Sequence, residues 1–305
     1  MTLPARVVVV GSCNTDYIVR VPRLPSRGET IIGGDIHIVN GGKGANQAVA
    51  SARLGAITSL VGRIGSDANG NAAIRILVSE GVDIAHLTRD ATVPTGAAMV
   101  AVETSSGENS IIVSSGANAL LNQDDIFRAT EAINSANVLV CQLEVPIESV
   151  GMALKAARLH GVITILNPAP YNERAIELLE YVDFLVPNEI ELSQLSGETS
   201  EDDAIAHCLD AGCRNVVVTK GSKGARFANI EDNEYFHAHF VSSPTDTTAA
   251  GDCFIGAFAV ATGEGAVIGD AIAFANAAAG LSVTRHGAQP SLPHRSEIDS
   301  ILRKF

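Results

Sequence analysis

The sequence predicts an α/β fold: a mostly parallel β-sheet covered by helices on both faces, with a small second β-sheet projecting from it as a lid. Three observations carry this. In the second half, short apolar runs alternate with amphipathic segments of helical spacing. In the first half that rhythm is broken by isoleucine- and valine-rich stretches between glycine-rich turns. One run near the C-terminus is apolar nearly all round, as a helix buried inside a protein would be.

Taken in order, Val7, Val8, Val9 and Val10 read as a buried first strand, too short for a signal segment, whose apolar region needs about 7–15 residues. Ile31, Ile32, Ile36 and Ile38, around Gly33, Gly34 and Asp35, read as hairpin strands. Residues 96–102 and 110–114 read as another pair, turned at Gly107-Glu108-Asn109. The lid is therefore expected at about residues 15–40 and 94–114, within one domain spanning 1–305. Apolar strands follow at 138–141, 162–166, 184–186 and 216–219, with helices at 147–160, 174–181 and 201–211 between them. Gly161 and Gly212 fall where those helices end, as C-caps.

Composition narrows the function. A formal charge of −13 with no Trp is a poor match for phosphate backbones or base stacking, so no nucleic-acid partner is expected. Five scattered cysteines without a CxxC pair suggest reduced thiols and a cytoplasmic location. The eight histidines lack metal-binding spacing. The apolar stretch 253–261 is about half a membrane span, so no membrane association is expected.

Three motifs carry chemistry. Asp246-Thr-Thr-Ala-Ala-Gly-Asp252 enters the buried helix, so the amides of Ala249, Ala250, Gly251 and Asp252 should lie inside the protein without acceptors. Small residues and the helix dipole favour an anion there, and Asp252 is placed to take a proton from a hydroxyl. A capped helix start, with Asp246 or Thr248 as N-cap, fits these seven residues equally well. Asn40-Gly-Gly-Lys-Gly-Ala-Asn-Gln47 leads into a helix at 48–54 and offers close backbone approach plus donors from Lys43 and Asn46. An ordinary glycine turn is the commoner meaning of such a cluster. Gly11-Ser-Cys-Asn14-Thr-Asp16 follows the first strand, where ligands of open sheets sit, though an Asx turn accounts for it too. Glu144, Asn188, Glu191 and the loop Thr219-Lys220-Gly221-Ser222-Lys223-Gly224 also follow strand ends.

As an ordered set these motifs, with Gly28-Glu-Thr30, Gln142-Leu-Glu144, Asn167-Pro-Ala-Pro170 and Gly287-Ala-Gln-Pro-Ser291, resemble the ribokinase-like (phosphofructokinase-B type) carbohydrate kinases along almost the whole chain. The resemblance implies a three-layer α/β/α domain with a β lid, and ATP-dependent phosphorylation of D-ribose at the 5-hydroxyl. It implies Asp252 as base, Ala249, Ala250 and Gly251 as anion hole, and Asn14, Asp16, Gly42, Lys43, Asn46 and Glu144 as sugar contacts. Asn188, Thr219, Lys220, Gly221, Ser222, Lys223, Gly224, Gly251 and Asn276 would face the nucleotide, with Glu191 linked to Mg2+. Asp246, Thr248, Ser282, Arg285 (through its carbonyl), Gly287 and Ser291 would bind an activating K+, and lids would pair in a homodimer. Asn276 stands where some members carry His, and Ala250 where many carry Gly. A kinase of another small sugar or nucleoside is the alternative. A non-catalytic binder would not need Asp252, and a nicotinamide dehydrogenase would need a Gly-x-Gly-x-x-Gly turn that the first strand lacks.

Overall fold

Four consecutive valines begin the fold. In the computed structural model, which describes residues 3–105, 108–238 and 244–303, they form most of β1 (Arg6–Val10) and are all buried. Val7 and Val9 join one apolar cluster and Val8 and Val10 another, because successive strand side chains point to opposite faces.

From β1 the chain runs into β2 (Asn14–Val21) and β3 (Ile36–Gly41), then α1 (Lys43–Arg53) and β4 (Ile57–Gly65). Next come α2 (Ala68–Ser79), β5 (Leu87–Asp90), β6 (Gly96–Glu103) and β7 (Asn109–Ser114). Helices α3 (Gln123–Arg128) and α4 (Thr130–Asn134) precede β8 (Val138–Cys141), α5 (Ile147–Leu159) and β9 (Ile163–Leu166). A 3₁₀ segment (Glu173–Tyr181) leads to β10 (Phe184–Leu185), α6 (Glu189–Ser196), α7 (Glu201–Asp210) and β11 (Asn215–Thr219). The hairpin of β12 (Ala225–Ala228) and β13 (Asn233–Phe236) precedes α8 (Ala250–Gly263), α9 (Ile268–Ser282) and α10 (Arg295–Leu302).

The main sheet runs β13-β12-β11-β10-β9-β8-β1-β4-β5, and every pairing from β11 to β5 is parallel. Among the described residues only β12, through its two pairings, runs antiparallel in this sheet. One apolar cluster packs α1, α8, α9 and α10 on one face, and the other packs α3 to α7 on the opposite face. The result is the expected three-layer α/β fold with a mostly parallel sheet.

A second sheet, β3-β2-β6-β7, stands apart, with β2 and β6 parallel and both outer pairs antiparallel. It corrects the sequence reading in one respect. Ile31 and Ile32 lie outside any strand, and Ile36–Gly41 pairs instead with β2, whose six-residue ladder offers far more backbone bonds than two-residue hairpin arms. Residues 96–103 and 109–114 do pair as a hairpin. Gly107 of its expected turn lies outside the described residues. Segment 174–181 is 3₁₀ rather than α-helical, and α1 begins at Lys43 rather than Ala48.

Candidate active site

The carboxyl ends of β1 and β8 point at the N-termini of α1 and α8, and two glycines make that convergence possible. Gly42 is the N-cap of α1 at φ 88°, and a Cβ there would lie 2.7 Å from the Asn14 amide nitrogen. Gly256 lets α8 settle on α1, since a Cβ would lie 2.6 Å from that of Ala50. The close helix crossing brings Asn46 and Asp252 together. Asn46 Nδ2 donates to Asp252 Oδ2 at 2.9 Å, and Gln47 Nε2 donates to Asp252 Oδ1 at 2.9 Å.

Around Asp252 lies a cavity of about 640 Å³. The main body contributes Gly42, Lys43, Asn46, Glu144, Asp246, Thr248 and Ala249, and the small sheet contributes Asn14, Asp16, Ile18, Ala98, Val100, Ile111 and Val113. Four carboxylates, Asp16, Glu144, Asp246 and Asp252, line the cavity together with the Lys43 ammonium. Burial pushes the Asp16 carboxyl up to about 6, helped by the charges of Glu144 and Asp252. Burial likewise raises Asp252, against the opposing pull of Lys43 and the two amide donors. For Lys43 burial alone would lower the ammonium, but Asp252, Glu144 and Glu191 outweigh it and the net shift is upward. Glu144 is held by Ser12 Oγ and by the Lys43 backbone N–H at 3.0 Å.

A second cavity, about 550 Å³, is lined by Thr219, Gly221, Ser222, Gly224, Ala250, Gly251, Phe254, Asn276, Ala279, Gly280 and Val283. Between the two sits a smaller space that includes Lys43, Asn188, Glu191 and residues 249–252. The entrance of α8 therefore borders all three.

That entrance differs from the sequence expectation. The N-cap is Ala249 itself, in the left-handed region at φ 59°, rather than Asp246 or Thr248. Left-handed backbone is strained for a residue with a Cβ, and here it aims the chain at the cavity. Four free amides were expected, but Ala250 N–H bonds to Thr247 O at 3.2 Å. Those of Ala249, Gly251 and Asp252 have no acceptor among the described residues.

Asp246 accepts from the backbone N–H of Thr248 and of Gly287, both at 2.9 Å, so it ties the loop before α8 to the loop after α9. Burial would raise its carboxyl, but these bonds, the Thr248 hydroxyl and His286 hold it below the usual carboxylate range. Ser282 and Ser291 are buried with hydroxyls on local carbonyls, and the Arg285 guanidinium turns to Glu297. Lys220 does not face the second cavity. It is drawn to Glu189 (2.9 Å) and Glu201, and Lys223 does not line that cavity either. Asn188 and Glu191 form a reciprocal capping box on α6 while still bordering the central space. Sequence reasoning missed Gln47, Gln142 and Asn118. Asn118 accepts from Cys13 N–H (2.9 Å) and donates to Asn14 Oδ1 (2.7 Å), which turns the Asn14 amide NH₂ away from it. No local pattern marks Asn118, whereas both glutamines lie inside motifs already singled out.

Comparison with known proteins agrees with this geometry. The model of the pfkB family carbohydrate kinases matches residues 4–295. This chain belongs to that family, and it is a carbohydrate kinase. Among curated relatives, the ribokinase of Haemophilus influenzae is 40% identical, over 95% of this chain and 96% of the relative. Among solved structures, ribokinase from Thermotoga maritima superposes with a TM-score of 0.90 at 36% identity, covering 98% and 99% of the two chains. Arabidopsis thaliana ribokinase, solved in complex with ribose and ATP, gives 0.89 at 37% identity, with 99% of both chains covered.

Proposed function

We propose that this chain transfers the γ-phosphoryl group of ATP to the 5-hydroxyl of D-ribose, releasing ribose 5-phosphate and ADP. The observation that carries this is the position of Asp252. It is a buried carboxylate at the junction of a polar cavity and a second cavity walled mostly by glycines and apolar side chains, with unpaired amides beside it. The relatives named above, and the ribose and ATP bound in one of them, supply the substrate identities.

In this reading Asp16, Asn14, Lys43, Asn46 and Glu144 grip the sugar by its hydroxyls. Asp252 takes the proton from the 5-hydroxyl as its oxygen attacks the γ-phosphorus and the bond to the β-phosphate oxygen breaks. The amides of Ala249 and Gly251 meet the charge that builds on the transferring group, where preorganised donors are most effective. Ile18, Val100 and the rest of the small sheet exclude water as a lid.

Glu191, beside Lys43 and Asp252 at the central space, is suited to hold magnesium through its water shell, and magnesium supplies neutralisation of the nucleotide phosphates. Asp246 suits a potassium ion. It is the one carboxylate among carbonyl-rich loops, and its three accepted bonds leave it a free lone pair. On the outer face of the lid Ile36, Ile38, Met99 and Ile112 are each more than half exposed, an apolar surface suited to pairing lids in a homodimer. All five cysteines are free and buried, which suits the reducing cytosol.

A coupled ADP-release assay across pentoses, hexoses and nucleosides tests the proposal. Ribose with MgATP should give the highest kcat/KM. A hexose or nucleoside turned over at least tenfold better would overturn the substrate assignment.

A further inference from the structure

Three side chains that this reaction does not use meet behind Asp252. Gln47 lies on α1, Gln142 follows β8 and Asn167 follows β9, and all three are buried. Gln47 Nε2 donates to Asp252 Oδ1 at 2.9 Å and lies 3.4 Å from Asn167 Oδ1. Gln47 Oε1 accepts from Gln142 Nε2 at 2.5 Å. Asn167 is fixed in turn, its Nδ2 donating to Val186 O at 3.1 Å.

The directions of these amides are not free. An ionised carboxylate only accepts, so Gln47 must turn its NH₂ toward Asp252. Its oxygen then faces the opposite way and needs a donor, which Gln142 supplies. Packing alone would be served at lower cost by an apolar side chain, because a buried amide destabilises unless its bonds are made. Each Asp252 oxygen thus spends one lone pair on α1, through Asn46 or Gln47, and keeps another for the cavity.

We propose that Gln47, held by Gln142, is a positioning residue for the base. It fixes the rotation of the Asp252 carboxylate so that a free lone pair meets the sugar hydroxyl, and it favours the ionised form. The proposal rests on Asp252 being that base. The charged or titratable groups facing Asp252 are Lys43 on α1, Glu144 beyond β8, Asp16 on β2 and Cys253 on α8. Lys43 favours its charge, Glu144 and an ionised Asp16 oppose it, and Cys253, pushed up to about 12 chiefly by burial, stays a neutral thiol. Removing the Gln47 donor therefore shifts Asp252 toward the protonated, inactive form, and activity at the acid end is lost.

The test uses Gln47→Met, which keeps the length of the side chain and removes its donor, in the purified full chain with ribose and MgATP. Loss of a hydrogen bond to a charged group predicts kcat down about 10- to 100-fold. Both KM values should stay within about threefold, and the acid limb of kcat should move up by about one pH unit. Reading kcat at saturation separates this limb from Asp16, whose titration acts on sugar binding. Gln142→Met should act in the same direction by about 3- to 10-fold, and it carries the test if Gln47→Met fails to fold. On an Asp252→Asn background Gln47→Met should add no further loss. An active parent whose folded variants keep its kcat and pH profile overturns the proposal alone, as do additive losses in the double variant. A parent inactive on every sugar overturns the kinase reading and this proposal with it.

Discussion

On the side of the cleft where we place the sugar, the polar surface comes from side chains. Asp16, Glu144, Asp252, Lys43, Asn14 and Asn46 reach into one cavity, and buried partners orient several of them. On the side where we place the nucleotide, the wall is mostly Gly221, Gly224, Gly251 and Gly280 with Phe254, Ala279 and Val283, joined by Thr219, Ser222 and Asn276, and its two nearby lysines do not line it. The difference follows from what each side must recognise. A neutral sugar offers only directional hydroxyls, so discrimination needs fixed donors and acceptors, and burying carboxylates there, close to one another, raises Asp16 and Asp252. A polyphosphate brings its own charge, which unpaired backbone amides at a helix start can meet. The sugar side should therefore be sensitive to single side-chain changes, and the nucleotide side much less so.

The largest expected effect is at the point shared by both sides. Asp252→Asn should leave the fold and ribose binding intact and lower kcat by about 10²–10⁴, the usual range for a positioned base. Near-parental turnover in the purified variant would remove Asp252 from that role. Asp16→Ala should raise the ribose KM about 10- to 100-fold with the ATP KM little changed, since sugar hydroxyls lose their acceptor in a dry site. Equal effects on both KM values would erase the distinction between the sides.

Asp16 also gives the comparison a pH signature. Its carboxyl is raised to about 6, so the ribose KM should climb as pH falls through 6 and the acceptor is protonated. Stability moves the other way. The folded state holds a proton that the unfolded chain releases, so this group's contribution is lost as pH rises from about 4 to about 6. Asp16→Asn should accordingly stabilise the ligand-free protein at pH 7.5 by about 1–2 kcal/mol while weakening ribose binding. A melting temperature unchanged or lower in Asp16→Asn would mean that the carboxylate is not strained.

What was legible in the sequence follows the same divide between local and long-range causes. The valine run of β1, the apolar strands β8 to β11 and the all-apolar helix α8 announce themselves through burial pattern, which any stretch of chain carries within itself. The strand β3 was placed, but its partner was not, because pairing with β2 across residues 22–35 depends on ladder length that no local pattern records. At the site, Asp252 and the proposed sugar contacts stood out as motif residues. The left-handed Ala249 and the bond from Ala250 to Thr247 did not, since only the docking of α8 on α1 decides how that loop is bent. The turn of Lys220 to Glu189 and Glu201 was hidden for the same reason, as its partners come from α6 and α7.

A smaller effect should come from monovalent cations. If potassium binds at Asp246, it fixes the loop whose amides face the transferring group without touching substrate, because Asp246 already joins Thr248 to Gly287. At constant ionic strength kcat should be about 3- to 10-fold higher in potassium than in tetramethylammonium chloride, the scale of improved donor preorganisation rather than of a lost contact. Asp246→Asn should abolish the difference. Identical turnover in both salts would mean that the Asp246 bridge is purely structural.

The smallest effect should be at Asn276, and it tests the comparison most sharply because it puts a buried amide side chain on a side otherwise made of backbone, apolar surface and the hydroxyls of Thr219 and Ser222. Asn276 projects from α9 into the second cavity, 7% exposed, and its Nδ2 donates to His237 O at 3.1 Å. That bond braces α9 against the segment after β13, and no charged group takes part in it. Asn276→Ala should therefore cost one neutral hydrogen bond of about 1 kcal/mol, a rise in the ATP KM of about 2- to 5-fold. The ribose KM and kcat should not move, because neither Asp252 nor the amides of Ala249 and Gly251 lean on this brace. Steady-state kinetics with each substrate varied in turn decides the matter. A rise in the ATP KM beyond about 30-fold, on the scale of a charge-assisted contact, would show that the nucleotide side also depends on single side chains.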